Sequence, residues 1–343
     1  MTFFRNAVAA IAICAGTLSA RAEQVDILLN NFVPPSFFMY TTLPEWGKRV
    51  EEVTEGRVRI STTAMTLAPP PEQWNAVENG IFDAAWILNS FITNRVSLAL
   101  IGQLPFVAGQ DSRATGIALW NTHERFFTEA NEYKGLHLLS LFAFSGADLY
   151  SLDSAPINSI DALANSRIWT LPGTATEAAR TAGAAIVSSP ATQVHDYVSR
   201  NVVDGYYGIG LSTSDQYKVL PYAKAITEFP REVFTATFSL FVRDDVWARI
   251  SPEDQAAIMA ISGATLSAEI GDIVNGLEDT ARAKAVKAGV TFTEADPTFY
   301  AALRTALARK ETDWIARANE LGVDGQAALD FFKAEVLRLE EKG

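Results

Sequence analysis

The 343-residue chain has one cysteine, Cys14, and three histidines, His123, His137 and His195. Cys14 falls in the opening segment, so a chain processed beyond it holds no thiol. That excludes disulfides, cysteine-zinc sites and thiol nucleophiles together. No histidine has a second histidine or an acid at a metal-ligand spacing such as HExxH, and GxSxG, P-loop and GxGxxG motifs are absent. The acid pairs Glu51-Glu52, Asp244-Asp245 and Glu340-Glu341 are sequence neighbours near element ends, where solvation explains them better than paired acid and base chemistry. No metal, cofactor or enzymatic activity is therefore expected. Positive charge is also short: 28 Lys+Arg face 40 Asp+Glu, a net charge of -12. An acidic chain lacks the broad basic footprint on which non-specific nucleic-acid affinity depends, so nucleic acid is not an expected partner. After the opening segment no run reaches the roughly 20 apolar residues of a spanning helix without polar interruption, so direct membrane insertion is not expected.

What is present begins with an export signal. Arg5 gives a basic start, residues 7–18 are mostly apolar, and Ala20-Arg21-Ala22 supplies a small-x-small cleavage site. Residues 1–22 read as this signal, with Glu23 opening the mature chain. Cleavage removes Arg5 and Arg21 and no acid, leaving 26 basic against 40 acidic side chains, or -14. The expected compartment is the periplasm. The composition, 48% hydrophobic and 20% charged, is that of a globular protein, and the length suggests two domains.

Along the mature chain, residues 25–29 read as a strand. Thr42-Leu43-Pro44-Glu45 reads as a capping box opening a helix to about Val53. A strand at 57–62, a helix at 71–78 and a buried strand at 82–88 follow, an order that implies parallel βα units. The grammar returns with strand 167–170, helix 174–182, strand 185–188, helix 194–201 and strand 202–207. A long strand at 232–242 precedes a capped helix that starts at Ser251-Pro252-Glu253-Asp254 and runs to about Lys287. At 1.5 Å per residue those ~36 residues span ~54 Å, enough to reach across both units. The tail at 297–339 is helical, with breaks near Gly322 and Gly325.

The segments Gly80-Ile81-Phe82-Asp83-Ala84, Leu104-Pro105-Phe106, Ile157-Asn158-Ser159-Ile160-Asp161, Pro172-Gly173 and Val203-Asp204-Gly205 occur in this order and spacing. In that arrangement the chain resembles the solute-binding proteins of TRAP transporters, the tripartite ATP-independent periplasmic carriers, over almost the whole mature length. The resemblance implies an α/β, two-lobed periplasmic binding protein, a type II-like Venus flytrap with a long helix crossing both lobes. Lobe I is expected to comprise residues 23–145 and about 235–272. Lobe II is expected to comprise residues 146–234 and about 273–343, including the C-terminal helices. The implied partners are a small organic solute held between the lobes and the TRAP membrane permease subunits, which use an ion gradient for uptake.

Most of this family bind organic acids through an arginine in the strand before Pro-Gly. Here the arginine position falls on Trp169 or Thr170. A second arginine position, in a Gly-x-Arg segment, reads Gly146-Ala147-Asp148, and the asparagine after Val-Asp-Gly is replaced by Tyr206-Tyr207. Aromatic and acidic groups in place of guanidinium suit a cation, so the expected solute is a small cationic or zwitterionic molecule such as a quaternary ammonium, sulfonium or amine. The candidate cage comprises Trp169, Asp148, Tyr206 or Tyr207 from the second lobe and Phe37, Phe38, Trp74 and Trp86 from the first. Packing is the competing explanation for each aromatic, but at Trp169 the coincidence with the arginine position favours binding, and at Trp74 and Trp86 the two weigh about equally. Glu72 is a candidate polar contact or a favourable charge at a helix start. An aromatic carboxylate remains an alternative, with Arg95, Arg231 or backbone N–H groups meeting the carboxylate, and Arg167 is a minor substitute for the missing arginine. An exported α/β hydrolase is the alternative of another class.

Overall fold

A computed structural model describes residues 24–341; the expected signal, residues 1–22, with Cys14, lies outside the described residues. Two sheets organise the chain. The first comprises β1 (Val25–Asn30), β2 (Val58–Thr62), β3 (Ala84–Leu88), β4 (Leu136–Gly146) and, later in sequence, β10 (Thr235–Arg243). The second comprises β5 (Asp148–Ser151), β6 (Arg167–Thr170), β7 (Ala185–Ser188), β8 (Gly205–Ile209), β9 (Ala225–Glu228) and β11 (Thr291–Glu294). The orders are β2-β1-β3-β10-β4 and β11-β9-β5-β8-β6-β7. The βα repeats give parallel pairs, β1 with β2 and β3, and β6 with β7 and β8. The strands that pass between the sheets are antiparallel to their neighbours: β10 to β3 and β4, and β5 to β8 and β9. This is the mixed α/β, two-lobed architecture expected.

Among the described residues four chain passages join the lobes, the last being the step from the helix Pro297–Leu307 to the helix Arg309–Glu320. β4 runs through Gly146-Ala147 directly into β5, and the return from β9 to β10 pairs with it, the Ala147 N–H donating to the Phe234 carbonyl at 2.9 Å. The third is the helix Gly263–Lys287, which packs on β4 and the helix Ser112–Thr122 in lobe I and on the helix Leu211–Gln216 in lobe II. The single 36-residue helix expected here is two: Pro252–Ala260 ends before Ser262, and the next begins at Gly263 with φ +49. A Cβ on Gly263 would stand 2.7 Å from the Trp120 ring, so the kink lies where only glycine fits. By length and composition alone Pro252–Lys287 could cross a membrane; the break and the packing on both lobes make it a core element instead.

The first helix, Met39–Val53, starts three residues before the expected capping box and carries Pro44 inside it. The tail divides between the lobes rather than belonging to the second. Phe299 of Pro297–Leu307 meets Phe229 of lobe II, whereas Trp314 of Arg309–Glu320 donates to the Ser97 carbonyl at 3.1 Å in lobe I. The last helix, Gly325–Glu340, buries Leu329, Phe332 and Val336 in the lobe I core. The lobes are in contact at their rims. Ser90 donates to the Pro172 carbonyl at 2.8 Å, Thr174 to the Gln103 carbonyl at 2.9 Å, and the Phe38 N–H to Gln216 Oε1 at 2.6 Å.

Candidate functional site

A cavity lies between the lobes. Lobe I supplies its aromatic wall. Trp86 of β3 stacks on Phe32 with ring centres 4.3 Å apart, and Phe144 of β4 lies 4.2 Å from Phe238 of β10. Phe37, 5.9 Å from Phe144, closes one side, and Phe91 completes this wall. Lobe II supplies mainly small and aliphatic groups at the carboxyl ends of its strands: Leu171 just past β6, and Gly208, Ile209 and Gly210 along and past β8. Its one ring is Tyr217, 5.0 Å from Phe37. That placement is the usual one for ligands of α/β sheets.

Among the described residues no charged side chain lines the cavity. The polar side chains among its lining residues are Ser145, Thr192, Thr213, Tyr217 and Trp86. The Trp86 indole N–H is buried and has no hydrogen-bond partner, which leaves a donor awaiting an acceptor. Among the described residues no group of three or more His, Cys, Asp or Glu side chains is arranged to hold a metal ion.

Of the ten residues expected at the site, Phe37 and Trp86 are on this wall and eight are not. Trp169 is fully buried inside lobe II, its indole N–H donating to Ser189 Oγ at 2.8 Å, and Thr170 is occupied by Thr176. The residue of that segment that reaches the cavity is Leu171. Tyr206 stacks on Tyr150 at 4.2 Å and bonds Ser214, and Tyr207 packs near Phe229. Phe38 packs behind the wall against Phe37 and Phe144. Trp74 belongs to the lobe I core beside Phe241 and Tyr133. Glu72 accepts from Asn75 at 2.8 Å near its helix start. Arg95 lies over the Trp74 ring and pairs with Glu78. The other two arginines considered are also committed elsewhere, Arg167 to Asp204 and Arg231 to the Ala108 carbonyl and Glu340.

Asp148 belongs to the hinge. It opens β5 at the lobe crossing, and four acids meet there, Asp148, Glu228 at the end of β9, Glu232 on the return to β10 and Glu278 on the long helix, with Arg282 paired to Glu228 beside them. By surface area Asp148 and Glu278 are only half-buried, but protein atoms surround their carboxyl groups, and Glu232 is buried outright. Burial, reinforced by the neighbouring carboxylates, holds Asp148 and Glu232 well above the ordinary carboxylate range. Burial raises Glu278 too, against the opposing effect of hydrogen bonds from Ser145 and Ser212. Glu232 packs flat over Gly146, where a Cβ would fall 1.9 Å from its carboxyl carbon. With Trp169 in a core and Asp148 in the hinge, the cage proposed for a cation does not form, and the cationic reading loses both of its anchors.

A model of the family described as bacterial extracellular solute-binding protein, family 7, matches residues 29–316. The chain belongs to this family. The family 7 protein is 26% identical to a TRAP periplasmic solute-binding protein of Bordetella bronchiseptica, solved with bound (R)- and (S)-mandelate, at a TM-score of 0.86; the match covers 92% of this chain and 99% of that one. A marine metagenome TRAP solute-binding protein, specific for aromatic acid ligands and solved with metahydroxyphenylacetate, shares the fold at TM-score 0.81 and 23% identity, over 92% and 99% of the two chains. A protein of Comamonas testosteroni called outer membrane transporter protein TsaT is 32% identical over 336 residues, 98% of each chain. The family 7 protein is thus a TRAP-type solute-binding protein with a two-lobed fold, and the hydrolase alternative has no support.

The wall residues that the sequence reading missed are chiefly Phe32, Phe91, Phe144, Phe238, Leu171 and Ser145. Phe144 and Phe238 lie on strands buried along nearly their whole length, so cavity-facing and core-facing positions look alike in the sequence. The available signal was the position of Ser145, next to Gly146 at the lobe crossing.

Proposed function

We propose that this TRAP solute-binding protein works in the periplasm, capturing a small aromatic carboxylate between its lobes and presenting it to membrane permease subunits for ion-gradient-driven uptake. The observation that carries the proposal is an aromatic cavity wall with no charged side chain. An aromatic ring of roughly 150 Å² buried there gains about 4 kcal/mol at ~25 cal/mol per Å², and each well-placed ring pair adds ~0.5–1.5 kcal/mol. A single carboxylate finds donors in the Trp86 N–H and the Thr192 and Thr213 hydroxyls. A second carboxylate would enter the same uncharged cavity without a cation and would be strongly disfavoured. The aromatic ligands of the Bordetella and metagenome proteins support this reading. A solute touching both walls binds the closed arrangement better and shifts the lobe equilibrium by that difference.

A thermal-unfolding panel tests the proposal. Binding adds RT ln(1 + [L]/Kd), ~2.7 kcal/mol at 100 Kd, or several degrees. Mandelate, benzoate or phenylacetate should stabilise the protein, while succinate, choline and glycine betaine should not. Stabilisation by succinate or choline, with none by an aromatic acid, would reject it.

A further inference from the structure

Resting on the aromatic-acid reading, we propose that the cavity selects aromatic acids bearing a hydroxyl group, and that Ser145, oriented by Glu278, makes the selection. Ser145 is 8% exposed, follows Phe144 on β4 and lines the cavity. A serine hydroxyl has one proton and two lone pairs. The proton of Ser145 is directed at Glu278 Oε1. The same oxygen accepts the Ser212 N–H at 2.9 Å and the Ser212 hydroxyl at 2.7 Å. A backbone N–H can only donate, so Oε1 acts as an acceptor and Ser145 is fixed as a donor toward it. What Ser145 has left for a ligand is a lone pair.

Gly210 makes this arrangement possible, because a Cβ there would stand 2.0 Å from Ser145 Oγ and 2.8 Å from Glu278 Oε1. The cavity therefore offers two opposite kinds of polar contact. The unpaired Trp86 N–H seeks an acceptor, which a carboxylate supplies. Ser145 seeks a donor, which a phenolic or benzylic hydroxyl supplies and which a carboxylate, ether or bare ring does not. Glu278 acts through Ser145 as a positioning residue. It keeps the serine proton out of the cavity, so that Ser145 discriminates between hydroxyl and methoxy groups rather than accommodating both.

Isothermal titration calorimetry on the mature chain with matched sets of ligands tests this. The sets are benzoate with its 2-, 3- and 4-hydroxy and methoxy derivatives, and phenylacetate with mandelate and α-methoxyphenylacetate. In at least one set the hydroxy acid should bind about tenfold or more tighter than both its unsubstituted and its methoxy partner, the usual scale for a buried hydrogen-bonding group matched or left unpaired. Ser145→Ala should abolish that advantage, read as the ratio of hydroxy to unsubstituted affinity within each set. Glu278→Ala, which removes the acceptor and frees the Ser145 proton to turn toward the cavity, should narrow the hydroxy-to-methoxy ratio, which a general loss of stability would leave unchanged. Equal binding within every set by the wild-type protein, a measurement that needs no variant, overturns the proposal. A hydroxyl advantage that survives Ser145→Ala overturns it too. Failure of every aromatic acid to bind overturns the aromatic-acid reading itself, so the two failures are distinguishable.

Discussion

The cavity and the hinge behind it are built on opposite plans from neighbouring residues. Phe144 and Ser145 present an aromatic ring and a hydroxyl to a space without charge, while Asp148, three positions after Ser145, sits with Glu232 and Glu278 in a buried cluster of acids. The acidic character read from Gly146-Ala147-Asp148 is real, but it belongs to the joint between the lobes and not to the solute. Ligand selectivity and the acid balance of the fold can therefore be altered separately except at Glu278, which belongs to both. Among the described residues the hydrogen bond from Ser145 to Glu278, with Gly210 packed against it, links the two regions.

The largest effect should come from removing the centre of the aromatic wall. Trp86→Ala deletes a fully buried side chain and should cost about 3–5 kcal/mol of stability, measured by denaturant unfolding, together with detectable binding of any aromatic acid by calorimetry. Giving the cavity the charge that the hinge has would erase the contrast. Leu171→Asp should weaken an aromatic carboxylate by about 100-fold or more, since the new anion faces the ligand in a space without a counter-charge; unchanged affinity would show that Leu171 does not meet the solute.

The converse change acts on the hinge. An acid whose folded pKa is raised keeps its proton in the folded state at pH values where the unfolded chain has lost it. Its cost to stability is absent below its ordinary value, 4.5 for Glu232, and grows as pH rises toward the folded value. Glu232→Gln should thus raise the unfolding midpoint, with about 1–2 kcal/mol gained near pH 7 and less near pH 5. A gain that shrinks with rising pH would contradict the raised pKa.

Trp169→Phe sharpens the assignment of Trp169 to the lobe II core. It should cost about 1 kcal/mol through the lost Ser189 hydrogen bond and leave solute affinity unchanged. The smallest effect concerns the rim, where Lys310 and Glu177 join the lobes through a partly exposed ion pair. Lys310→Ala should shift the open-closed balance by no more than about 0.5 kcal/mol, read as a slight increase in radius of gyration by small-angle scattering and lost in high salt.

The α/β grammar was legible because it is local. β6 at Arg167–Thr170 and the helix at Thr174–Thr181 follow from β-branched and apolar runs broken by Pro172-Gly173. β4 escaped notice because Leu136–Gly146 is buried on both faces and lacks the alternation that marks a half-buried strand. The capping box at Thr42 did not set the start of Met39–Val53, where Phe37 and Phe38 already pack into the wall region. For the site, the sequence showed correctly that the guanidinium is missing, and failed on what replaces it. β6 ends at Thr170, so the side chain delivered to the cavity is that of the following residue, Leu171, and the displaced Trp169 turns to Ser189. A shift of one or two positions at the end of a strand separates core from cavity, and no composition rule registers it.

The passages between the lobes also determine which groups travel when the protein opens. The acids lie on those passages, near any axis about which the halves can turn, so their surroundings change little over the cycle. Ser90, Thr174 and Gln216 lie at the periphery, where a small rotation becomes a large displacement. The work of opening should therefore be concentrated in those few peripheral hydrogen bonds and in the wetting of the aromatic wall.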